Sequence, residues 1–158
     1  MRNPRPANIL PDMTDAATPT RADFPLIRPI PTRWADNDVY GHVNNVTYYA
    51  FFDTAVNAHL IEAGVLDPAT SPVIGLVVET GCRFMAPLSF PDTVEVGLRV
   101  AHLGRTSVRY AIALFRQGAG EPAAVGHFVH VYVDRQTRRP TPIPDPVRAL
   151  LQPLQSFR

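Results

Sequence analysis

The chain has no lysine: all fifteen of its basic residues are arginine. Fourteen acidic residues nearly balance them, for a net charge of +1. That balance excludes the broad basic surface of a nucleic-acid binder and the acidic blocks of a disordered tail. Arginine-only usage is read first as composition, although guanidinium groups do suit phosphate. A single cysteine, Cys82, excludes an intramolecular disulfide framework. No apolar run is long enough for a signal segment or a membrane span, so no membrane partner is expected and the cytoplasm is the expected compartment. There is also no G-x-S-x-G elbow, no phosphate-binding loop and no dinucleotide fingerprint. Any function must therefore come from a local cluster.

With 158 residues, 46% of them hydrophobic, the chain suits one domain with a real core. Residues 1–22 are rich in Pro, Ala, Thr and Asn and have no apolar period. They are expected to form a loose tail ahead of a single domain over 23–158. Pro25, Pro29 and Pro31 restrict the next segment to an edge strand or an extended lead-in. Asn44 or Asn45 can cap a helix over roughly Asn45 to Ala63, in which Val46, Tyr49, Phe52, Val56 and Leu60 recur at helical spacing before Gly64. From Pro72 the period becomes two. Ile74, Leu76, Val78 and Phe84 are expected on one strand face and Val73, Val77, Glu79 and Arg83 on the other. A hairpin follows, turning at Leu103-Gly104-Arg105, and then a last strand over Ala123 to Asp134. A short helix over about Asp145 to Gln152 is predicted, with Asp145 as cap and Pro146 in its first turn. The expected order is strand, long helix and four strands in a meander. An α+β fold of about five antiparallel strands curled around one long helix, with a short C-terminal helix, buries both apolar faces.

The densest chemistry lies between Arg33 and Asn45, R-W-A-D-N-D-V-Y-G-H-V-N-N. Asp36 and Asp38 stand two apart; close carboxylates repel and burial disfavours charge, so one of the pair is expected to titrate high. Gly41 permits close backbone approach, and the helix start presents unpaired N–H groups to a developing oxyanion. A carboxylate beside such donors fits acyl transfer, as nucleophile or general base. No metal is expected, because Asp36, Asp38 and His42 lack a further spaced His or Cys pair. His59, His102, His127 and His130 are read as satisfied structural histidines, and Cys82 as packing.

These residues, with Tyr48-Tyr49 and the helix, resemble the hotdog-fold acyl-CoA thioesterases of the 4-hydroxybenzoyl-CoA thioesterase type. The likeness runs from about Pro29 to Leu150, through V-V-E-T-G-C-R-F-M-A-P-L, H-L-G-R-T-S-V and V-H-V-Y-V-D-R-Q-T-R-R-P. The resemblance implies hydrolysis of an acyl-CoA to free acid and coenzyme A, with no cofactor because coenzyme A is part of the substrate. It makes Asp38 the catalytic acid and Asp36 its support, sets Gly41 and His42 beside the thioester, and makes the N–H near Asn45 the donor to its carbonyl. It also implies a homodimer or homotetramer with the site at the subunit interface. Glu79 and Arg83 are candidates from the second chain, Gly104, Arg105, Thr106 and Ser107 for the nucleotide part of coenzyme A, and Tyr48 for shaping the acyl pocket. Two other readings stay open: a hotdog enoyl-CoA hydratase or dehydratase, and a non-catalytic acyl-CoA binder.

Overall fold

The computed structural model describes residues 17–155. It contains β1 (Leu26–Pro31), α1 (Asn45–Glu62), β2 (Val73–Phe84), β3 (Thr93–Leu103), β4 (Ser107–Arg116), β5 (Ala124–Asp134) and α2 (Asp145–Leu151). The five strands form one antiparallel sheet in the order β1-β3-β4-β5-β2, which makes the proline-bearing β1 an edge strand as expected.

The order corrects the expected meander. Only β3, β4 and β5 follow one another across the sheet; β2 lies at the far edge against β5, while β3 pairs with β1. The segment between β2 and β3 must therefore cross the whole sheet beneath the start of α1. This crossing segment becomes one wall of the candidate site.

Helix α1 lies on the concave face. Asn44 is its cap, accepting from Val46 N at 3.0 Å, and the chain leaves the helix through Gly64 at φ +74°. Its buried face is Tyr48, Phe51, Phe52, Ala55, Val56 and Leu60. The expected stripe is thus partly displaced, with Val46 69% exposed and Tyr49 half-buried. Phe52 fits because Gly126 on β5 has no side chain: a Cβ there would come within 2.7 Å of the Phe52 ring. Large side chains of β3 and β4, including Leu98, Tyr110, Ile112 and Leu114, complete the core.

A bulge between Val77 and Glu79 reverses the alternation of β2. Val73 and Cys82 pack on the core, and Phe84 meets Tyr48 on α1, whereas Glu79 and Arg83 lie on the opposite face. The two expected face sets, each counted straight through the strand, are therefore each split in the middle.

The expected loose tail lies outside the described residues as far as residue 16. Its end is not loose: residues 21–23 make a turn of 3₁₀ helix, Arg21 pairs with buried Glu95 and stacks over Phe115, and Phe24 covers Gly97 on the convex face. At the other terminus α2 is capped by Pro144 instead of Asp145, which is the first helical residue.

Candidate active site

The Arg33–Asn45 stretch folds as a 3₁₀ turn at Trp34–Asp36, then a small loop closed by the bridge Asn37–Val43. Within the loop Asp38 N donates to His42 O at 2.9 Å and Gly41 N to Asp38 O at 3.1 Å. Gly41 takes φ +80°, a left-handed conformation that glycine enters without steric cost. The crossing segment holds the loop from below. Val43 N donates to Leu88 O at 2.7 Å, Phe90 N to Asn37 Oδ1 at 3.0 Å, and Ser89 Oγ to Gly41 O at 2.6 Å.

The two aspartates have separate environments. Asp36 is 3% exposed; its carboxylate accepts from Arg33 N at 2.7 Å, Arg33 NH2 at 2.8 Å and Arg33 Nε at 3.1 Å. Burial pushes this carboxyl up, but the Arg33 hydrogen bonds and charge outweigh it and hold the group below the usual carboxylate range. The expectation of a raised carboxyl is thus reversed at Asp36, whose nearest charge is a guanidinium. Asp36 also anchors the helix start, since its carbonyl accepts from Asn44 N at 2.8 Å.

Asp38 is half-buried. One carboxylate oxygen accepts from Tyr40 N at 2.8 Å, closing an Asx turn, and the other is 3.5 Å from Asn44 Nδ2. At the start of α1, Val46 N is taken by the Asn44 side chain and Thr47 N by the Asn44 carbonyl. The N–H of Asn45, the first helical residue, can have no partner within the helix and stands at the positive end of the helix dipole.

Asp38, Tyr40, His42, Asn45 and Tyr48 line one open cavity of about 480 Å³ with Val43, Phe84, Met85, Ala86 and Pro87. Tyr48 is 3% exposed and meets Phe84 edge-on at 4.9 Å, so it forms a fixed wall. Burial pushes its phenol up, keeping it neutral near pH 7. Gly41 shapes the loop without lining the cavity. Phe84, Met85, Ala86 and Pro87 were not expected. Their sequence signal was only a proline-broken strand end, and the crossover that brings them to Asp38 depends on strand order.

The remaining expected residues do not join this cavity within one chain. Glu79 binds Arg109 at 3.0 Å, with His127 Nε2 at 2.8 Å, on the convex face. Arg83 lines a separate convex-face cavity with Phe24, Arg99 and His127. Gly104 to Ser107 form the β3–β4 turn at the end of the sheet remote from Asp38. There Gly104 N donates to Ser107 O at 2.8 Å, Tyr132 N to Thr106 O at 2.7 Å and Arg148 NH2 to Gly104 O at 2.6 Å, leaving the Arg105 side chain exposed. Two histidines are not satisfied: His59 Nε2 and His130 Nδ1 are buried without a hydrogen-bond partner. Burial pushes the half-buried Cys82 thiol up to about 11, in keeping with a packing role. No three His, Cys, Asp or Glu side chains gather as a metal site among the described residues, and no described helix is long and apolar enough to cross a membrane.

A five-stranded antiparallel sheet wrapped on one long helix, with an acid loop at the helix start, defines a hotdog-fold thioester hydrolase. The chain belongs to the thioesterase-like superfamily, whose family model matches residues 32–151. The PA5185 protein from Pseudomonas aeruginosa is 56% identical, with a TM-score of 0.86 over 89% of this chain and 98% of that one. BH1999 gentisyl-coenzyme A thioesterase is 27% identical, with a TM-score of 0.68 over 80% of this chain and 99% of that one. Slr0204 of Synechocystis, a 1,4-dihydroxy-2-naphthoyl-CoA thioesterase, shares the fold at a TM-score of 0.73 with 16% identity, over 79% and 93% of the two chains. No curated protein matches the chain.

Proposed function

We propose that the protein hydrolyses an acyl-CoA thioester at the Asp38 cavity. The observation that carries this reading is that Asp38 and Asn45, the first residue of α1, line one cavity. The thioester carbonyl oxygen accepts from Asn45 N, and Asp38 either attacks the carbonyl carbon itself, giving a mixed anhydride that water then hydrolyses, or takes a proton from the water that attacks. The carbon–sulfur bond breaks, coenzyme A leaves as the thiol after regaining a proton, and the free acid remains. His42, exposed and lining the same cavity, is the residue this reading sets beside the leaving thiol. The exposed Arg105, on a turn held by Arg148, is a candidate for the nucleotide phosphates. Gentisyl-coenzyme A thioesterase, which acts on a coenzyme A thioester, supports the substrate class.

The working unit in this reading is a homodimer joined through β2. That strand is a sheet edge carrying Leu76, Val77 and Val78, of which Val78 is 61% exposed. An apolar edge with unpaired backbone groups suits strand addition by a second copy. Thiol release from a panel of short, long and aromatic acyl-CoAs tests the activity. Wild-type turnover of at least one thioester, lost in Asp38→Asn, is expected; an Asp38→Asn protein as active as the wild type sinks the assignment.

A further inference from the structure

Asn44, the residue before α1, carries two contacts on one side-chain amide. Its Oδ1 accepts from Val46 N at 3.0 Å, which caps the helix. That bond fixes which way round the amide lies, because the opposite flip would set Nδ2 hydrogens against a backbone N–H. Nδ2 is therefore the atom turned towards the aspartate loop, where it stands 3.5 Å from Asp38 Oδ2. The backbone of Asn44 is held as well: its N donates to Asp36 O at 2.8 Å and its O accepts from Thr47 N at 2.9 Å. The side chain is half-buried and does not line the Asp38 cavity.

Capping alone does not call for asparagine. Serine and aspartate accept from the same helical N–H groups about as well. A serine has one oxygen, which the cap occupies, and brings no second polar atom to reach Asp38. An aspartate would set a second carboxylate against the first. Among the side chains favoured at a helix cap, only asparagine holds an acceptor for the helix and a donor for the acid at once. Asp38 uses both: Oδ1 accepts from Tyr40 N at 2.8 Å inside the loop, which leaves Oδ2 to Asn44. One oxygen is thus held by the loop and the other by the residue covalently joined to Asn45.

We propose that Asn44 is a positioning residue for the Asp38 site: its amide ties the Asp38 carboxylate to the start of α1, so that the acid and the N–H of Asn45 keep one fixed spacing. This rests on the hydrolase reading above. Asn44 acts through Asp38 and touches no reacting atom. At 3.5 Å the tie is long for an N–H donor. Catalytic contacts that are long in the free enzyme commonly tighten once substrate fills the site.

The test compares Asn44→Ser, Asn44→Asp and Asn44→Ala with wild type, by thermal melting and by turnover of an acyl-CoA from the panel above. The serine and aspartate variants keep the cap and should melt within about 2 °C of wild type, whereas the alanine variant should melt lower. If the amide positions Asp38, kcat should fall about tenfold in Asn44→Ser and further in Asn44→Asp, with KM within about twofold, although both retain the helix start. Wild-type kcat in those two, with loss confined to the uncapped Asn44→Ala, reduces the residue to a cap and overturns the proposal. Adding Asn44→Ser to Asp38→Asn should cost no further activity, because the tie has no acid left to hold; a further tenfold loss overturns it too. NMR of the free protein separates the two readings. The Asn44 side-chain amide protons should move upfield in Asp38→Asn, where a neutral acceptor replaces the carboxylate. With no acyl-CoA turned over by the wild type, that shift removes the hydrolase reading and keeps the tie. An Asn44 amide that does not respond to residue 38 removes the tie, whatever the turnover.

Discussion

The hydroxyl of Ser89 donates to the carbonyl of Gly41 at 2.6 Å, tying the segment that crosses under the sheet to the tip of the loop that carries Asp38. Gly41 stands at φ +80°, and its carbonyl direction follows from that conformation. Ser89→Ala should remove the tie without leaving a deeply buried orphan, since Gly41 is exposed. The expected cost is about 1 kcal/mol, or a fall of roughly 2–4 °C in melting temperature. Because the bond positions Asp38 and not the core, kcat/KM for a good acyl-CoA should fall several-fold further than that small loss of stability explains, at a temperature where both proteins are fully folded.

The two aspartates should separate cleanly under substitution. Asp38→Asn keeps the Asx turn and the shape of the loop, so its melting temperature should stay near wild type while kcat falls by about 10²–10⁴. Asp36→Asn removes a buried charge facing Arg33 and weakens the anchor of the helix start, so its main effect should be on stability. Equal loss of stability in both, with activity retained in Asp38→Asn, would reverse the roles.

Asp36 also sets an acid limb. Its folded pKa lies below its unfolded value, so between the two the unfolded chain binds more protons and stability rises with pH. Its contribution is complete above the unfolded value of about 3.9 and is lost as pH falls through the lower folded value. Denaturant melts from pH 2 to 5 should show a shallower pH slope in Asp36→Asn than in wild type.

The aspartate loop and the helix behind it were legible because their signals are local: a capping Asn44, apolar residues at helical spacing, and a glycine where φ turns positive. The identity of Asp36 as the saturated acid was not legible, because it depends on Arg33 folding back three residues through a 3₁₀ turn. Strand order escaped for a different reason. Period-two alternation is the same in a meander and in a sheet whose second strand crosses to the far edge, so nothing local told β2 where to pair. The bulge at Val78 then inverted the faces of Glu79 and Phe84, a one-residue event that an alternation count passes straight through. His130 looked like an ordinary strand histidine, and its unpaired Nδ1 became visible only with Gly75 placed across from it.

Val78 offers a direct test of the proposed dimer edge. It lies near the middle of β2, so a two-fold pairing brings each copy close to its counterpart. Val78→Asp places two like charges together in that interface and exposes little in a monomer, where the side chain is already 61% open. Light scattering should show a shift from dimer to monomer, with thioesterase activity falling in step and circular dichroism unchanged. A protein that is monomeric before the substitution and fully active would remove the interface from the mechanism.

His130 provides a further pH effect. Burial pushes its pKa down to about 4, against about 6.5 in the unfolded chain. The folded protein therefore holds a neutral imidazole where the unfolded chain takes up a proton. Stability is complete above the unfolded value, falls as pH drops from about 6.5 towards 4, and levels off below the folded value, for a total of about 3 kcal/mol. Among the described residues no carboxylate offsets the burial of the ring, whose aromatic neighbours are Tyr110, Phe128 and Tyr132. His130→Phe should abolish this limb, so that unfolding free energies of variant and wild type diverge as pH falls from 7 to 4. The limb at Asp36 should remain in both proteins below that range. Parallel curves from pH 7 to 4 would mean that the imidazole is not held neutral in the fold.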